Sequence, residues 1–201
     1  MGNGKYANIS SVTGLDLIDD GRALAHCDWD WDGRPDFWTT NRTGPRIHFL
    51  HNQMESSNNF LAIYLKGTKS NRDAIGARIE IVAGEDHPPI IKTLKGGSGF
   101  LSQSSKWLHF GLGPTTSIVN LRIRWPDGSQ ETIGELEVDR RYLIRQGTGI
   151  AEVQDGGNRV VQLAATKIAA SPVSEQARIV ALLVERVDIG MDGLSVRLRI
   201  D

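Results

Sequence analysis

Short apolar segments separated by turn residues dominate the first three quarters of the chain. From Ala23 to Trp125 apolar residues either alternate with polar ones or form brief runs bounded by Gly, Pro, Asn and Asp. The runs are FLAIYL, ARIEIV, IIKTL, KWLHFGL and IVNLRIRW. Segments of this length and period are typical of β-strands in antiparallel sheets. The pattern therefore predicts a mainly β protein with an antiparallel body.

Turn residues locate a hairpin and the end of this body. The segment WPDGSQ, from Trp125 to Gln130, places Pro at the first corner of a turn and Asp-Gly after it, between LRIRW and QETI. A last strand is predicted at Tyr142–Arg145. The glycine-rich sequences GTG and DGGN then mark a boundary.

The pattern changes beyond Gly156. Ser171 followed by Pro172 is typical of a helix N-cap with Pro in the first turn. Valines and an alanine then recur at helical spacing, at Val173, Ala177, Val180, Val184 and Val187. These features predict a helix over residues 172–187, and the alternating sequence LSVRLRI after GMDG predicts a hairpin behind it. The tail is thus a small α+β unit.

Composition and charge narrow the functional classes. The chain has 201 residues, of which 39% are apolar, enough for one or two compact domains. Its 23 basic and 24 acidic residues give a net charge of −1, which favours neither nucleic acid nor an anionic membrane as a partner. No export signal and no membrane-spanning segment is expected, since no apolar run approaches about 20 residues. The single cysteine, Cys27, excludes an intrachain disulfide framework.

The nonapeptide DWDWDGRPD, residues 28–36, concentrates negative charge. Two carboxylates about 5 Å apart repel by roughly 3 kcal/mol at an effective dielectric of about 20, so either a cation compensates them or they point apart into water. Counted from its first residue, acids occupy the first, third, fifth and ninth positions: Asp28, Asp30, Asp32 and Asp36. Gly33 and the Arg34 carbonyl fall at the sixth and seventh, as in calcium-binding loops.

We therefore predict Ca²⁺ as the cofactor, with Asp28, Asp30, Asp32, Asp36 and the backbone of Arg34 as metal ligands. Thr39 occupies the position of the EF-hand glutamate, and the following FWTTN is typical of a strand. The prediction is thus a calcium loop inside a β-hairpin. An Asx-rich turn without metal is the alternative, because Asp and Gly also favour turns for local reasons.

Two families resemble parts of the chain. ALAHCDWDWDGRPDFWTTNRTGPRIHFLHN resembles the FG-GAP/VCBS repeat, a β-propeller blade whose hairpin binds calcium. NNFLAIYLKGTKSNRDAIGARIEIVAG, GGSGFLSQSSKWLHFGLG and LRIRWPDG resemble the ASPIC/UnbV domain, the family that includes cartilage acidic protein. The resemblance implies an antiparallel β-sandwich-like domain of an extracellular, periplasmic or cell-surface protein.

The expected organisation has three parts. Residues 1–57 form an FG-GAP/VCBS-like repeat with the calcium loop, 58–147 the ASPIC/UnbV-like β domain, and 148–201 a linker with a helix and a β-hairpin. A propeller needs several blades, so the first part resembles the last blade of a longer protein. The tail sequence QARIVALLVERVDIGMDGLSVRLRID resembles the C-terminal end of serine site-specific recombinases.

These features favour a non-enzymatic, calcium-binding module that acts in adhesion or binds an unknown protein or glycan ligand. One alternative is a carbohydrate-active hydrolase or its accessory domain, which would require Asp73 or Glu80 opposite a second acid. The other is a DNA-associated role of the recombinase-like tail; otherwise no nucleic-acid partner and no membrane insertion are expected.

Several other motifs favour structural interpretations. The loop GTKSNRDAIGAR lacks the spacing of a phosphate-binding loop, and its Asn71, Arg72 and Asp73 are predicted to bond one another. The arginines of RRYLIR alternate with apolar residues and are predicted to lie on a solvated strand face. The histidines form no metal-binding motif and are interpreted as packed or surface residues: His26, His48, His51, His87 and His109.

Overall fold

The protein is mainly β, as predicted, in a computed structural model. The structure describes residues 6–82 and 88–154, and the backbone of two strands in the tail, Val184–Gly190 and Gly193–Leu198. In these residues, strands account for nearly all of the regular structure. The one described helix, α1, spans only Ser10–Thr13.

A three-stranded antiparallel sheet precedes the main body. Its strands β1 (Gly21–Cys27), β2 (Asp36–Asn41) and β3 (Ile47–Leu50) pair in chain order. Cys27 pairs with Asp36, so the aspartate-rich segment forms the loop that connects β1 to β2. The structure thus places this segment inside a hairpin, with a strand and no helix behind it.

Ten short strands form the body: β4 (Asn59–Lys66), β5 (Arg78–Val82), β6 (Ile90–Thr93), β7 (Leu108–Gly113), β8 (Ser117–Ile118), β9 (Asn120–Arg124), β10 (Gln130–Ile133), β11 (Leu136–Glu137), β12 (Arg140–Arg145) and β13 (Ala151–Val153). Two four-stranded sheets have the orders β13-β12-β4-β7 and β10-β9-β5-β6, and β8 pairs with β11. Because β13 pairs with β12, the first sheet continues past residue 147.

A single core joins the two four-stranded sheets. The buried side chains alternate along the strands of both sheets and include Leu61, Ile63, Leu65, Ile79, Ile81, Phe110, Leu121, Ile123 and Ile144. Trp125 is only 2% exposed and belongs to the same cluster. Two sheets that share one apolar interior form a β-sandwich-like domain, as predicted.

One pairing departs from the antiparallel prediction. β4 and β12 run parallel, with Leu61 opposite Arg140 and Lys66 opposite Arg145. Parallel neighbours require a long crossover connection, and here that connection contains β5 to β11. Apolar periodicity identifies strands but carries no information on their relative direction, which explains the difference.

The predicted WPDGSQ hairpin is confirmed. Arg124 pairs with Gln130, and the Trp125 amide donates to the Ser129 carbonyl at 2.8 Å. Gly128 has φ +87°, a left-handed conformation that glycine adopts without a Cβ clash. The predicted strand Tyr142–Arg145 is also confirmed, as part of β12.

The tail contains a hairpin of β14 (Val184–Gly190) and β15 (Gly193–Leu198), which pair antiparallel. Residues 172–183 of the predicted helix lie outside the described part of the chain. The final turn of that prediction is wrong, because Val184 and Val187 belong to β14. β-Branched residues favour strands, and pairing with the alternating sequence of β15 outweighs the helical spacing.

Candidate metal centre

The side chains of the aspartate loop turn inward and bind the loop's own backbone. Asp28 Oδ2 accepts a hydrogen bond from the Gly33 amide at 2.8 Å. Asp30 Oδ1 accepts one from the Asp32 amide at 3.3 Å, and Asp32 Oδ1 accepts one from the Arg34 amide at 2.7 Å. The backbone is thus wrapped around its carboxylates, an arrangement that both a calcium loop and an Asx-rich turn without metal would show.

Asp36 anchors the end of the loop. Its side chain is completely buried, with Oδ2 accepting from the Trp29 amide at 2.9 Å and Oδ1 from the Asn52 amide at 2.8 Å. Arg34 Nε donates to the Asn52 carbonyl at 2.9 Å. The segment after β3 therefore closes one side of the loop, and the predicted contribution of the Arg34 carbonyl to a metal stays a prediction.

Four of the predicted ligands and one histidine converge. Side-chain atoms that could bind a metal lie within 4.8 Å of one another in two groups. One group is Asp28, Asp30 and Asp32, and the other is Asp30, Asp36 and His51. His51 Nε2 is 3.0 Å from Asp30 Oδ2. β3 and the residues after it bring His51 to the loop from 21 positions away, and its interpretation as a packed residue without a ligand role stays a prediction.

A buried arginine of the sandwich contacts the aspartate loop. Arg141, on β12, donates from its guanidinium to Asp28 Oδ2, and both side chains are 5% exposed. The guanidinium carbon lies 4.7 Å from the Trp31 ring centroid and 5.6 Å from that of Trp107. The prediction of a solvated arginine on this strand is wrong at this position, because ion pairing and cation–π contacts compensate its burial.

Gly33 is required by both conformation and space. It has φ +90°, and a Cβ there would lie 2.4 Å from Cε1 of Phe60. Trp31 also adopts a positive φ, of 66°. The loop thus turns sharply against the first residues of β4, and only glycine fits at this position.

Burial raises the pKa of three carboxyls, those of Asp28, Asp32 and Asp36. The pKa of Asp28 rises to about 6, chiefly through desolvation; Arg141 lowers it and the nearby Asp32 raises it. Desolvation also raises the pKa of Asp32 and of Asp36, against the hydrogen bonds that they accept from backbone amides. A raised pKa means that the charged form is destabilised, and a bound cation is the partner that would stabilise it.

The residues fit a hard cation. Asp28 Oδ1 is buried and has no hydrogen-bond partner among the described residues, whereas buried polar atoms are nearly always satisfied. The converging ligands are mainly carboxylate oxygens, which suit calcium. The site therefore offers both the ligand type and an unused ligand atom.

Asp73 and Glu80, the acids singled out for hydrolytic chemistry, contact cations. Lys106 Nζ lies 2.5 Å from Asp73 Oδ2, and Arg122 donates to Glu80 Oε1 at 2.9 Å. The predicted mutual bonding of Asn71 and Asp73 is not found among the described contacts, since Asn71 exchanges two hydrogen bonds with the backbone of Ile75.

The side chain of Gln146 binds the backbone of the loop GTKSNRDAIGAR, the loop that was compared with a phosphate-binding loop. This side chain is 3% exposed, and its Oε1 accepts from the consecutive amides of Thr68, Lys69 and Ser70 at 3.2, 3.0 and 2.9 Å. Its Nε2 donates to Asp127 Oδ2 at 2.7 Å. Gln146 thus joins this loop to the WPDGSQ turn.

Comparison with known families agrees with one of the resemblances. A protein-family model described as ASPIC and UnbV matches residues 67–151, which include most of the sandwich. The resemblances of residues 1–57 to FG-GAP/VCBS repeats and of the tail to recombinases stay predictions. No curated protein matches the chain. Among the described residues, no helix is long and apolar enough to cross a membrane.

Proposed function

We propose that this chain is a non-enzymatic, calcium-binding β module of a secreted, periplasmic or surface protein. In this proposal Ca²⁺ binds Asp28, Asp30, Asp32, Asp36 and the Arg34 carbonyl, and the ASPIC/UnbV-like sandwich presents a surface for a protein or glycan ligand. The observation that carries the proposal is the convergence of the first three carboxylates within 4.8 Å.

The choice of calcium follows from the ligand set. Calcium accepts six to eight oxygen ligands in flexible geometry, whereas magnesium requires a near-ideal octahedron and retains water. The loop offers several carboxylates of different orientation, including the unpartnered Oδ1 of Asp28. Calcium sites in extracellular modules have dissociation constants of about 10⁻⁴ to 10⁻³ M, a range consistent with the proposed location.

The metal would have a structural role. Asp28 is shared between the proposed site and Arg141 of the sandwich, and Gly33 lies directly against Phe60 of β4. A cation that fixes the loop therefore also fixes the contact between the first sheet and the sandwich. Binding would then stabilise the surface that the sandwich presents.

Terbium luminescence tests the metal site. Tb³⁺ replaces Ca²⁺ in oxygen-rich sites, and Trp29 and Trp31 lie within the loop as sensitisers. We expect sensitised emission from the chain, displaced by millimolar calcium and lost in Asp30→Ala. Asp20→Ala, an exposed aspartate outside the loop, is the control and should leave the emission unchanged. Absence of emission at millimolar metal would overturn the proposal.

A further inference from the structure

The outer face of the second sheet carries an unusual row of residues across its four strands. Arg78 of β5 lies directly opposite Arg124 of β9. Gln130 of β10 lies opposite Arg124 on the other side, and Thr93 of β6 opposite Arg78. All four residues are exposed. We call this set, Gln130, Arg124, Arg78 and Thr93, the donor row, because each side chain offers a hydrogen-bond donor.

In the described part of the chain, no acidic side chain lies within ion-pair distance of either Arg78 or Arg124. Asp127, in the adjacent turn, instead accepts from Ser129 at 2.6 Å and from Gln146 at 2.7 Å. Like charges directly opposite each other destabilise a sheet. The facing pair of arginines therefore does not serve to stabilise the fold.

The neighbouring pair on the same strands shows the contrast. Side chains two residues apart on a strand share one face, so Glu80 and Arg122 lie next to the donor row. They are also directly opposite each other, and Arg122 donates to Glu80 at 2.9 Å. Charge complementarity is thus satisfied at one position of this face, and two positive charges are left together at the next.

Three of the four donor-row residues line a shallow groove with a rigid base. The groove is lined by Arg78, Thr93 and Arg124 together with Trp125 and Pro126, and has a volume of about 260 Å³. Trp125 is 2% exposed and packed into the core, so the base does not move easily. One water occupies about 30 Å³ in the liquid, so the groove has room for a sugar-sized group and not only for a single ion.

We propose that the donor row binds carboxylate or sulfate groups of an acidic polysaccharide. Guanidinium groups bind such oxyanions through two parallel hydrogen bonds. The row crosses strands about 4.8 Å apart, which suits a ligand that repeats its anionic and hydroxyl groups along a chain. The uncharged Gln130 and Thr93 at the two ends of the row suit the hydroxyl groups of a sugar chain better than the closely spaced phosphates of nucleic acid. This inference rests on the proposed role of the sandwich as a ligand-binding module.

The test measures binding of the full chain to defined polymers by isothermal titration calorimetry at physiological salt. Dextran sulfate and polygalacturonate provide sulfate and carboxylate, uncharged dextran is the negative control, and sodium sulfate tests the free ion. We expect at least one acidic polymer to bind, with an affinity that falls as salt rises. Binding of sodium sulfate but neither polymer would mean an adventitious ion only and overturn the proposal, as would no binding at all.

Matched variants locate the binding surface. Arg78→Gln and Arg124→Gln should each weaken polymer binding at least about tenfold, since each removes one of two fork-shaped donors. Arg122→Gln removes the same charge from the same face but from a paired arginine, and should change the affinity less than about twofold. Equal losses in all three variants would show a mere net-charge effect and overturn the donor row as the site.

Two further experiments test the role of the guanidinium group and the choice of polymer. Arg78→Lys keeps the charge without the planar fork, so it should weaken binding even if Arg78→Gln fails to fold; unchanged binding would contradict the proposal. A single-stranded oligonucleotide that binds more tightly than either polymer would overturn the polysaccharide assignment. Because the terbium signal arises from the aspartate loop, its failure overturns the calcium site alone, whereas failure of polymer binding leaves that site standing.

Discussion

The guanidinium of Arg141 and the carboxylate of Asp28 form a buried ion pair between residues 113 positions apart in the chain. The pair joins the start of the aspartate loop to β12, a central strand of the first sandwich sheet. Aromatic rings surround the guanidinium, so little water reaches either partner. Removal of one partner from a buried pair leaves an uncompensated charge and typically costs about 3–5 kcal/mol.

Arg141→Met should therefore destabilise the calcium-free protein strongly. We expect its free energy of unfolding to fall by about 3 kcal/mol in the presence of EDTA. Calcium should recover part of this loss, because a bound cation would compensate the charge of Asp28 that Arg141 no longer pairs. Urea unfolding followed by tryptophan fluorescence, with EDTA and with calcium, measures both effects.

Arg145→Met is the matched control for this prediction. Arg145 lies on the same strand, and its Nε contacts Glu152 at 3.4 Å at the surface. Exposed ion pairs contribute about 0–1 kcal/mol, so this variant should remain close to the wild type with or without calcium. A loss in Arg141→Met that calcium does not reduce would contradict the proposed link between the metal and Asp28.

Gly33→Ala should destabilise the protein more than an alanine at another left-handed glycine. Both Gly33 and Gly147 have positive φ, at 90° and 85°, and alanine in this region costs about 1–2 kcal/mol. Only Gly33 also faces a ring, with Phe60 Cε1 2.4 Å from the added Cβ, whereas nothing lies within 4 Å at Gly147. Overpacking adds about 1–3 kcal/mol.

Comparison of the two variants by urea unfolding isolates this steric effect. Gly33→Ala should also weaken terbium binding, because the clash moves the loop backbone that carries the ligands. Gly147→Ala lies outside the loop and should bind terbium as the wild type does. If the two alanines had equal effects on unfolding and on terbium affinity, the close packing of the loop on Phe60 would be refuted.

The sequence was informative wherever the determinant is local. Spacing alone identified Asp28, Asp30, Asp32 and Asp36 as one group, since alternate residues of a tight loop meet regardless of the remaining chain. The WPDGSQ hairpin depended likewise on turn chemistry within six residues. Both features could therefore be predicted without knowledge of the tertiary fold.

Residues that reach the site from distant segments could not be predicted. Arg141 has the sequence context of an exposed strand position, and only the parallel pairing of β12 with β4 places it beneath the loop. His51 forms no motif with Asp30 and approaches it through the turn between β2 and β3. Pairing direction and register decide both contacts, and the apolar pattern specifies neither.

Gln146→Leu should loosen two connected loops. The leucine would leave the Thr68, Lys69 and Ser70 amides without the acceptor that Gln146 Oε1 supplies. An unsatisfied donor costs about 1–3 kcal/mol when buried, and because Thr68 and Lys69 are exposed, water reduces the total. We expect a loss of about 2 kcal/mol in urea unfolding and faster amide hydrogen exchange at these three residues.

Gln154→Leu is the control for this substitution. Gln154 Nε2 makes a 3.5 Å contact with the Glu152 carbonyl, which is a weak bond. Its replacement should therefore change neither the free energy of unfolding beyond about 0.5 kcal/mol nor the exchange at 68–70. Unchanged amide exchange in Gln146→Leu would show that the three amides do not depend on this side chain.

Stabilisation by calcium should increase as the pH rises through 6. In the calcium-free protein, burial raises the pKa of Asp28 from 3.8 to about 6. The stability that comes from its protonation is therefore fully present below pH 3.8 and is lost as the pH rises through about 6. Calcium binds the deprotonated carboxylate, so it must displace this proton at low pH. Burial lowers the pKa of His109 to about 4, so the stability that comes from its neutral form is lost as the pH falls from 6.5 through about 4. This loss is the same with and without calcium. The difference in Tm between calcium and EDTA should thus be larger at pH 7.5 than at pH 5, and an equal difference would contradict calcium binding by Asp28, Asp32 and Asp36, whose pKa values burial raises.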